Sequence, residues 1–239
     1  MTADSSPTTD DSSNNPPECP VGKIDCPIIA EIVALRQSVT ALSELVRTDT
    51  LTGLANYRYF TQALGQEMER TQRSGQPTTL IMLDIDFFKK VNDRWGHEVG
   101  NQALVHIARL MLQTVRRLDI ACRYGGEEFA IILPNTELSA SIPVAERLRS
   151  SIAETSLTVG EKQLQLTASL GIASYVSGEE SRVEELVQRA DHYLYQAKQS
   201  GRNQVRYAPL PEIDVVSREE REALFKLFGR SAKENRSEP

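Results

Sequence analysis

The stretch "CRYGGEEFAII", residues 122–132, places two glycines and two adjacent glutamates between short apolar runs. Apolar runs on both sides of a Gly-Gly pair predict two β-strands joined by a tight turn, in its simplest form a type I′ hairpin with two solvated glutamates. Adjacent carboxylates raise each other's pKa unless a cation neutralises them. Glycines also let a bulky phosphate approach the main chain closely. The stretch predicts a hairpin and leaves two interpretations open, a solvated turn or a site for a cation and phosphates.

Helical and strand patterns alternate on both sides of this hairpin. The apolar run "TTLIMLDID", residues 78–86, predicts a buried strand that ends in Asp84 and Asp86. Apolar periodicity and stop signals predict helices at about 57–73, 97–116, 138–153 and 182–199. Further strands are expected at 119–124, 129–133, 164–173 and 203–208. This interleaving predicts one α/β (α+β) domain, with helices packed on a central, mostly antiparallel sheet.

Both ends of the chain differ in composition from this domain. Residues 1–27 are rich in Ser, Thr, Asp, Asn and Pro and are expected to be disordered. Apolar residues then recur in steps of four and three, which is a heptad pattern, at Ile28, Ile32, Leu35, Val39, Leu42 and Val46. The pattern predicts a helix over 28–47 that either pairs with a second copy as a coiled coil or packs on its own domain. In the tail, 208–239, a capping-box spacing predicts a short helix at 217–228.

The composition excludes several classes of protein. The chain has 239 residues and a net charge of -6, which argues against a nucleic-acid or anionic-membrane surface. Three cysteines do not make a disulfide framework, and Cys19 and Cys26 have no neighbouring histidine to complete a zinc site. Neither a signal peptide nor an apolar run of about 18 residues is visible, so we expect a cytoplasmic protein without membrane insertion.

Common nucleotide and zinc motifs are also missing from the sequence. It contains neither a P-loop nor a strand–GxGxxG–helix unit. The stretch "HEVGN", residues 97–101, begins like the zinc-protease HExxH motif but has Asn101 where the second histidine is required. The remaining candidates for chemistry are oxygen ligands, namely Asp84, Glu127 and Glu128, which suit a hard divalent ion such as Mg²⁺.

Seven motifs occur in a fixed order along the chain. They are "DTLTGLANYR", "DIDFFKKVND", "GHEVGN", "RRLD", "CRYGGEEFAIILP", "ASLGIA" and "ADHYLYQAKQSGRNQV". Together they resemble the GGDEF-domain diguanylate cyclases, in the GGEEF form of the signature, over about residues 48–207. The resemblance implies a palm-like α/β domain. It also implies a homodimer that joins two GTP molecules into cyclic di-GMP and releases two pyrophosphates.

The resemblance assigns roles to the acidic residues and to a set of substrate contacts. Asp84, the main-chain carbonyl of Ile85, Glu127 and Glu128 would hold Mg²⁺, with Mn²⁺ as an alternative ion. Glu127 would also help to deprotonate the ribose 3′-hydroxyl, or act only as a metal ligand. The implied substrate-binding residues are Phe87, Phe88, Lys89, Asn92, His97, Asn101, Lys198 and Arg202. Within that set, Lys198 and Arg202 match phosphate-binding positions, although two solvated cations at a helix C-terminus are the ordinary alternative.

Asn101 departs from the family pattern, which usually has aspartate at this guanine-binding position. An amide oxygen still accepts a hydrogen bond but carries no charge, so weaker guanine binding or a relaxed choice of purine is an alternative.

The motif "RRLD" lies a few residues before the signature, where the family has an inhibitory product-binding RxxD site. The resemblance assigns Arg116, Asp119 and Arg147 to cyclic di-GMP, and the alternative is an ordinary surface ion pair. A non-catalytic cyclic di-GMP receptor is the competing function.

Overall fold

The structure, a computed structural model, describes residues 26–45 and 47–210, with side chains for 26–38 and 47–210. The expected disorder up to residue 25 and the expected helix at 217–228 lie outside the described residues. The elements in chain order are α1 Pro27–Leu45, α2 Tyr57–Ser74, β1 Thr78–Ile85, α3 Phe88–Trp95, α4 His97–Thr114, β2 Ile120–Arg123, β3 Glu128–Leu133, α5 Leu138–Glu154, β4 Leu157–Val159, β5 Lys162–Leu164, β6 Ala168–Tyr175, α6 Val183–Gln199 and β7 Val205–Tyr207.

A five-stranded sheet with the order β2-β3-β1-β6-β7 forms the centre of the domain. All neighbouring strands are antiparallel except β6 and β7, which are parallel. Strand β1 is buried along its whole length because helices cover both faces of the sheet. Leu80 and Met82 pack with α2 and α6, whereas Ile81 and Leu83 pack with α3, α4 and α5. The expected α/β fold with a mostly antiparallel sheet between helices is confirmed.

Gly171 allows α6 to lie directly on the central strands. A Cβ atom at this position of β6 would come within 2.2 Å of the Ala190 carbonyl oxygen and of the Leu194 nitrogen. These neighbours are main-chain atoms, which cannot move aside as a flexible side chain can, so any larger residue would push the helix away. The close contact fixes α6 over the sheet and places its last turn, with Lys198, beside the end of β1.

The segment 164–173 is not the single strand that its alternating pattern predicted. Strand β5 ends at Leu164, where it pairs with β4 in a separate two-stranded hairpin, and β6 begins at Ala168. The chain turns between them because the Asp86 N–H donates to the Thr167 carbonyl and the Thr167 hydroxyl donates to the Asp86 carboxylate. Helix α3 was also not expected, because eight residues are too short for a clear helical period.

Helix α1 keeps its apolar face uncovered over the part whose side chains are described. Ile28 is 66% exposed and Leu35 is 57% exposed, and within residues 27–38 no side chain is buried. The exposed side chains of this part are available to a second copy of the chain, and the coiled coil stays a prediction. Across residues 26–45 and 47–210, none of the helices combines the length and apolar character required to cross a bilayer.

Candidate active site

The signature turn occupies residues 124–127, between β2 and β3. The N–H groups of Tyr124 and Gly125 both donate to the Glu128 carbonyl, at 2.8 and 3.1 Å. Neither Gly125 nor Gly126 has a positive φ, so the alternative interpretation, a type I′ turn that requires two such residues, does not describe this hairpin. A Cβ atom at Gly125 would lie 2.7 Å from Glu128 Oε2, so a larger residue there would displace the end of this flexible side chain. The Glu128 carboxylate therefore lies directly against the turn.

The Arg123 side chain holds this turn through hydrogen bonds to its main chain. Its guanidinium donates to the carbonyls of Gly125 and Gly126, at 3.2 and 2.8 Å, and lies 3.3 Å from the Asp49 carboxylate. Burial alone would raise the pKa of Asp49, but hydrogen bonds from Thr52 and the charge of Arg123 hold the pKa below its ordinary value. Asp49 is thus a charged anchor for the turn. Both residues lie inside sequence motifs quoted above, but their pairing depends on a tertiary contact that no local pattern reveals.

Asp84 and the two signature glutamates meet at one end of the sheet. In the β1–β3 ladder Asp84 stands directly opposite Glu128, and the Ile85 N–H donates to the Glu127 carbonyl at 3.4 Å. Burial, followed by the charge of Asp84, raises the pKa of both Glu127 and Glu128. Burial also raises the pKa of Asp84, and the charge of Asp86 adds to this effect. The site therefore concentrates negative charge where solvent cannot screen it fully.

Lys198, in the last turn of α6, places a positive charge beside these three carboxylates. Its Nζ lies 2.8 Å from Asp84 Oδ2, and its charge opposes the rise in the pKa values of all three carboxyl groups. Lys198 therefore lies inside the site, and the alternative of a solvated cation at a helix end does not describe it.

The donor set is suited to a hard cation. Over the described residues no three His, Cys, Asp or Glu side chains form a ready-made metal cluster. Mg²⁺ does not need one, because it is usually held by one or two carboxylates while waters and substrate phosphates complete its shell. Crowded carboxylates with raised pKa values fit that requirement, since a bound cation would relieve their repulsion.

The implied substrate contacts near the end of β1 are only partly brought together. Phe88 packs in the hydrophobic core, so its side chain does not face the site, whereas Lys89 is exposed. Phe87 is 51% exposed and has a left-handed backbone, with φ 57°. Arg202 Cζ lies 4.4 Å from the centre of the Phe87 ring, which places Arg202 at the end of β1 together with Lys198.

The implied substrate contacts Asn92, His97 and Asn101 lie around the start of α4. A Cβ atom at Gly100 would come within 1.9 Å of Asn92 Oδ1, so the Asn92 side chain rests against the first turns of α4. His97 and Asn101 are exposed and lie four residues apart, on one face of that helix. The structure thus places Asn92 and Asn101 on neighbouring elements.

The expected product site forms a compact turn after α4. The Asp119 carboxylate accepts the main-chain N–H of Arg116 at 2.7 Å, and burial raises the pKa of Asp119. Arg147 of α5 donates to the Thr114 carbonyl at 3.0 Å, so it lies close to the same turn. In the part of the chain that the structure describes, neither guanidinium forms an ion pair. Two exposed arginines beside a fixed aspartate do not form the ordinary surface ion pair.

The fold and the site together form a palm-like sheet that carries acidic residues on two adjacent strands. The model of the family described as "Diguanylate cyclase, GGDEF domain" matches residues 46–204. The chain belongs to the GGDEF family.

Relatives of known structure and curated relatives agree with this assignment. The response regulator PleD of Caulobacter vibrioides is 43% identical over 173 residues, which covers 72% of this chain but 38% of PleD. Diguanylate cyclase SiaD from Pseudomonas aeruginosa, solved in complex with its activator SiaC, is 43% identical with a TM-score of 0.66, over 76% of this chain and 71% of that chain. The coiled coil and GGDEF domain of DgcB from Caulobacter crescentus, in complex with c-di-GMP, is 32% identical with a TM-score of 0.65, over 75% and 94% of the two chains.

Proposed function

We propose that this chain is a diguanylate cyclase, which condenses two GTP molecules into cyclic di-GMP and releases two pyrophosphates. One observation carries the proposal: Asp84 and Glu128 face each other across adjacent strands, with Lys198 against Asp84. Relatives that carry the name diguanylate cyclase, such as SiaD, support the activity.

Each residue of the site has a part in this reaction. Asp84, the Ile85 carbonyl and the glutamates would hold Mg²⁺, or Mn²⁺ in its place, and the bound ion would neutralise the triphosphate and the leaving pyrophosphate. Lys198 and Arg202 bind phosphate oxygens. Glu127 either accepts the proton of the ribose 3′-hydroxyl as a general base or serves only as a metal ligand.

The reaction requires a homodimer in which each subunit holds one GTP. The exposed apolar face of α1 supports a parallel coiled coil as the tether between subunits, and the solved coiled coil of DgcB is a precedent. The heptad register would place Glu31 and Arg36 for pairing across the coil.

The proposal is tested by incubating the purified chain with GTP or ATP and Mg²⁺, and by identifying products by mass spectrometry. We expect cyclic di-GMP and pyrophosphate in a one-to-two ratio from GTP, and no product when EDTA removes the metal. Binding of added cyclic di-GMP without any turnover would instead support the second candidate, a non-catalytic receptor, which the Arg116, Asp119 and Arg147 arrangement favours.

Product inhibition should depend on Arg116. Replacing it with alanine (Arg116→Ala) should leave the initial rate unchanged and raise the inhibitory concentration of cyclic di-GMP by about ten-fold or more, because a charge-assisted contact is lost. Progress curves with added product measure the effect. Arg117→Ala is the matched control, since Arg117 is also exposed but occupies an unspecified position of the RxxD pattern. Equal inhibition of wild type and Arg116→Ala by cyclic di-GMP would show that Arg116 does not bind the product and that this turn has only a structural role.

Base choice should depend on Asn101. The Asn101→Asp variant should raise the ratio of kcat/KM for GTP over ATP by about ten-fold, since a carboxylate accepts from both guanine donors more strongly than an amide does. Gln102→Glu controls for the added charge, because Gln102 is the exposed neighbour on the same helix. An unchanged ratio, or an equal change in the control, would mean that position 101 does not read the base.

A further inference from the structure

Asp86 follows the acidic end of β1, but its carboxylate is turned into the protein. The residue is 5% exposed. Its Oδ1 accepts the Ser169 hydroxyl at 2.7 Å, and its Oδ2 accepts the Thr167 hydroxyl at 2.8 Å and the Asn203 N–H at 3.0 Å. Both oxygens are thus committed to hydrogen bonds within the chain. Asp86 therefore ties the end of β1 to the start of β6 and to the loop after α6.

That loop has an unusual backbone. Gly201, Arg202 and Asn203 are three consecutive residues with positive φ, at 108°, 64° and 44°. Residues other than glycine adopt this conformation only where their surroundings enforce it. The Arg202 N–H donates to the Ala197 carbonyl at 3.0 Å, which caps α6, and the Asn203 N–H donates to Asp86. The buried carboxylate is therefore one of the groups that hold Arg202 in its strained conformation.

The side chain of Arg202 is held against Phe87, the residue after Asp86. Its Cζ lies 4.4 Å from the ring centre, and Lys90 Nζ lies 4.3 Å from the same centre. The ring attracts each cation. Two positive charges brought onto one ring nevertheless repel each other, and a polyanion bound beside them would remove that repulsion. Lys90 belongs to none of the sequence-predicted contacts, but its ammonium group lies on the same ring as the Arg202 guanidinium.

We propose that Asp86 is a positioning residue for phosphate binding, which holds the 201–203 loop so that Arg202 and Lys90 are presented together on Phe87 to the triphosphate of the nucleotide. Asp86 touches no substrate and acts through Arg202. Lys90 is the second cation of this phosphate site. The inference rests on the proposed function in taking GTP as the nucleotide.

A double-mutant cycle tests whether Asp86 acts through Arg202. Binding of GTP and of inorganic tripolyphosphate is measured by calorimetry in buffer with EDTA, so that only protein contacts contribute, for wild type, Asp86→Ala, Arg202→Ala and the double variant. We expect each single change to weaken binding about ten-fold, and the double variant to bind no more weakly than Arg202→Ala alone. In turnover with Mg²⁺, Asp86→Ala should raise KM while kcat changes little.

Three further variants separate this role from general stability. Ser169→Ala removes a hydrogen bond from the same carboxylate but keeps the Asn203 contact, so binding should stay within about two-fold of wild type. Asp86→Asn keeps an oxygen that can accept from Asn203 and should restore most of the affinity. Lys90→Ala changes an exposed residue, so it should fold even if Asp86→Ala does not, and it should weaken tripolyphosphate binding about ten-fold.

Several results would overturn the inference. An equal loss of affinity from Asp86→Ala in the wild-type and Arg202→Ala backgrounds would show that Asp86 does not act through Arg202. Unchanged tripolyphosphate binding by Lys90→Ala would show that Lys90 is not a second cation of the phosphate site. A wild type that binds GTP but makes no cyclic di-GMP would overturn the proposed function alone, and the cycle would still decide the role of Asp86. A wild type that binds neither GTP nor tripolyphosphate would overturn both.

Discussion

Asp84→Ala should abolish turnover while leaving the domain folded. The variant removes the carboxylate that faces Glu128 across the β1–β3 ladder and that Lys198 contacts at 2.8 Å. We expect the rate of pyrophosphate release at saturating GTP to fall by at least about a thousand-fold, which corresponds to about 4 kcal/mol of lost transition-state stabilisation. Glu128→Ala should have an effect of the same order, because the two carboxylates would hold the same ion.

The fold should tolerate both changes for a physical reason. Burial raises the pKa values of Asp84 and Glu128, so ionised carboxylates at these positions cost free energy in the folded state, and their removal relieves that cost. Thermal unfolding checks this point. Asp191→Asn is the matched control, because Asp191 is exposed and its charge also raises the pKa of Glu128, yet it lies outside the ligand set. Either alanine variant working at the wild-type rate would contradict the metal assignment.

Separation of the two subunits should also lower turnover strongly. The double variant Ile28→Asp, Leu35→Asp places charges on the apolar face of α1, where both wild-type side chains are largely exposed in the single chain. The catalytic domain should therefore stay folded, whereas a coiled coil would have to bury the new carboxylates. A short tether commonly gives an effective concentration in the millimolar range. Without it, we expect turnover at micromolar protein to fall by about a hundred-fold or more and to rise steeply with concentration.

Sedimentation and rate measurements over a dilution series check this prediction together. Gln37→Asp is the control, because Gln37 is an exposed residue of α1 outside the heptad positions. A double variant that remains dimeric and equally active on dilution would show that α1 does not join the subunits.

The sheet and its long helices were predictable because each has a strong local pattern. Strand β1 is a continuous apolar run, and helices α2, α4, α5 and α6 have clear periodicity and stop signals. Helix α3 was missed because only Phe88 and Val91 are buried on it. The break between β5 and β6 was missed because Thr167 leaves the ladder to bond with Asp86, a residue 81 positions earlier in the chain.

In the site, too, residues that belong to one local motif could be predicted, whereas contacts between residues far apart in the sequence could not. Asp84 and Glu128 could be proposed from a strand end and a glycine turn, and the ladder brings them opposite each other. Phe88 could not be placed, because two consecutive phenylalanines look alike in sequence while the left-handed backbone of Phe87 exposes one ring and leaves the other in the core. The role of Asp49 could not be inferred either, because it depends on Arg123, which is 74 residues away.

The Arg123–Asp49 pair also limits where a chimera of this chain can have its junction. Asp49 lies in the segment 47–56 that connects α1 to α2, and this segment is further fixed to β2 by hydrogen bonds between Ala55 and the main chain of Ala121 and Arg123. A chimera that exchanges residues 1–46 for a foreign dimeric module keeps the anchor of the signature turn. A junction only a few residues further along removes the Asp49 carboxylate and leaves Arg123 without its counter-charge. The junction of such a chimera therefore belongs before residue 47, because the connecting segment supports the signature turn.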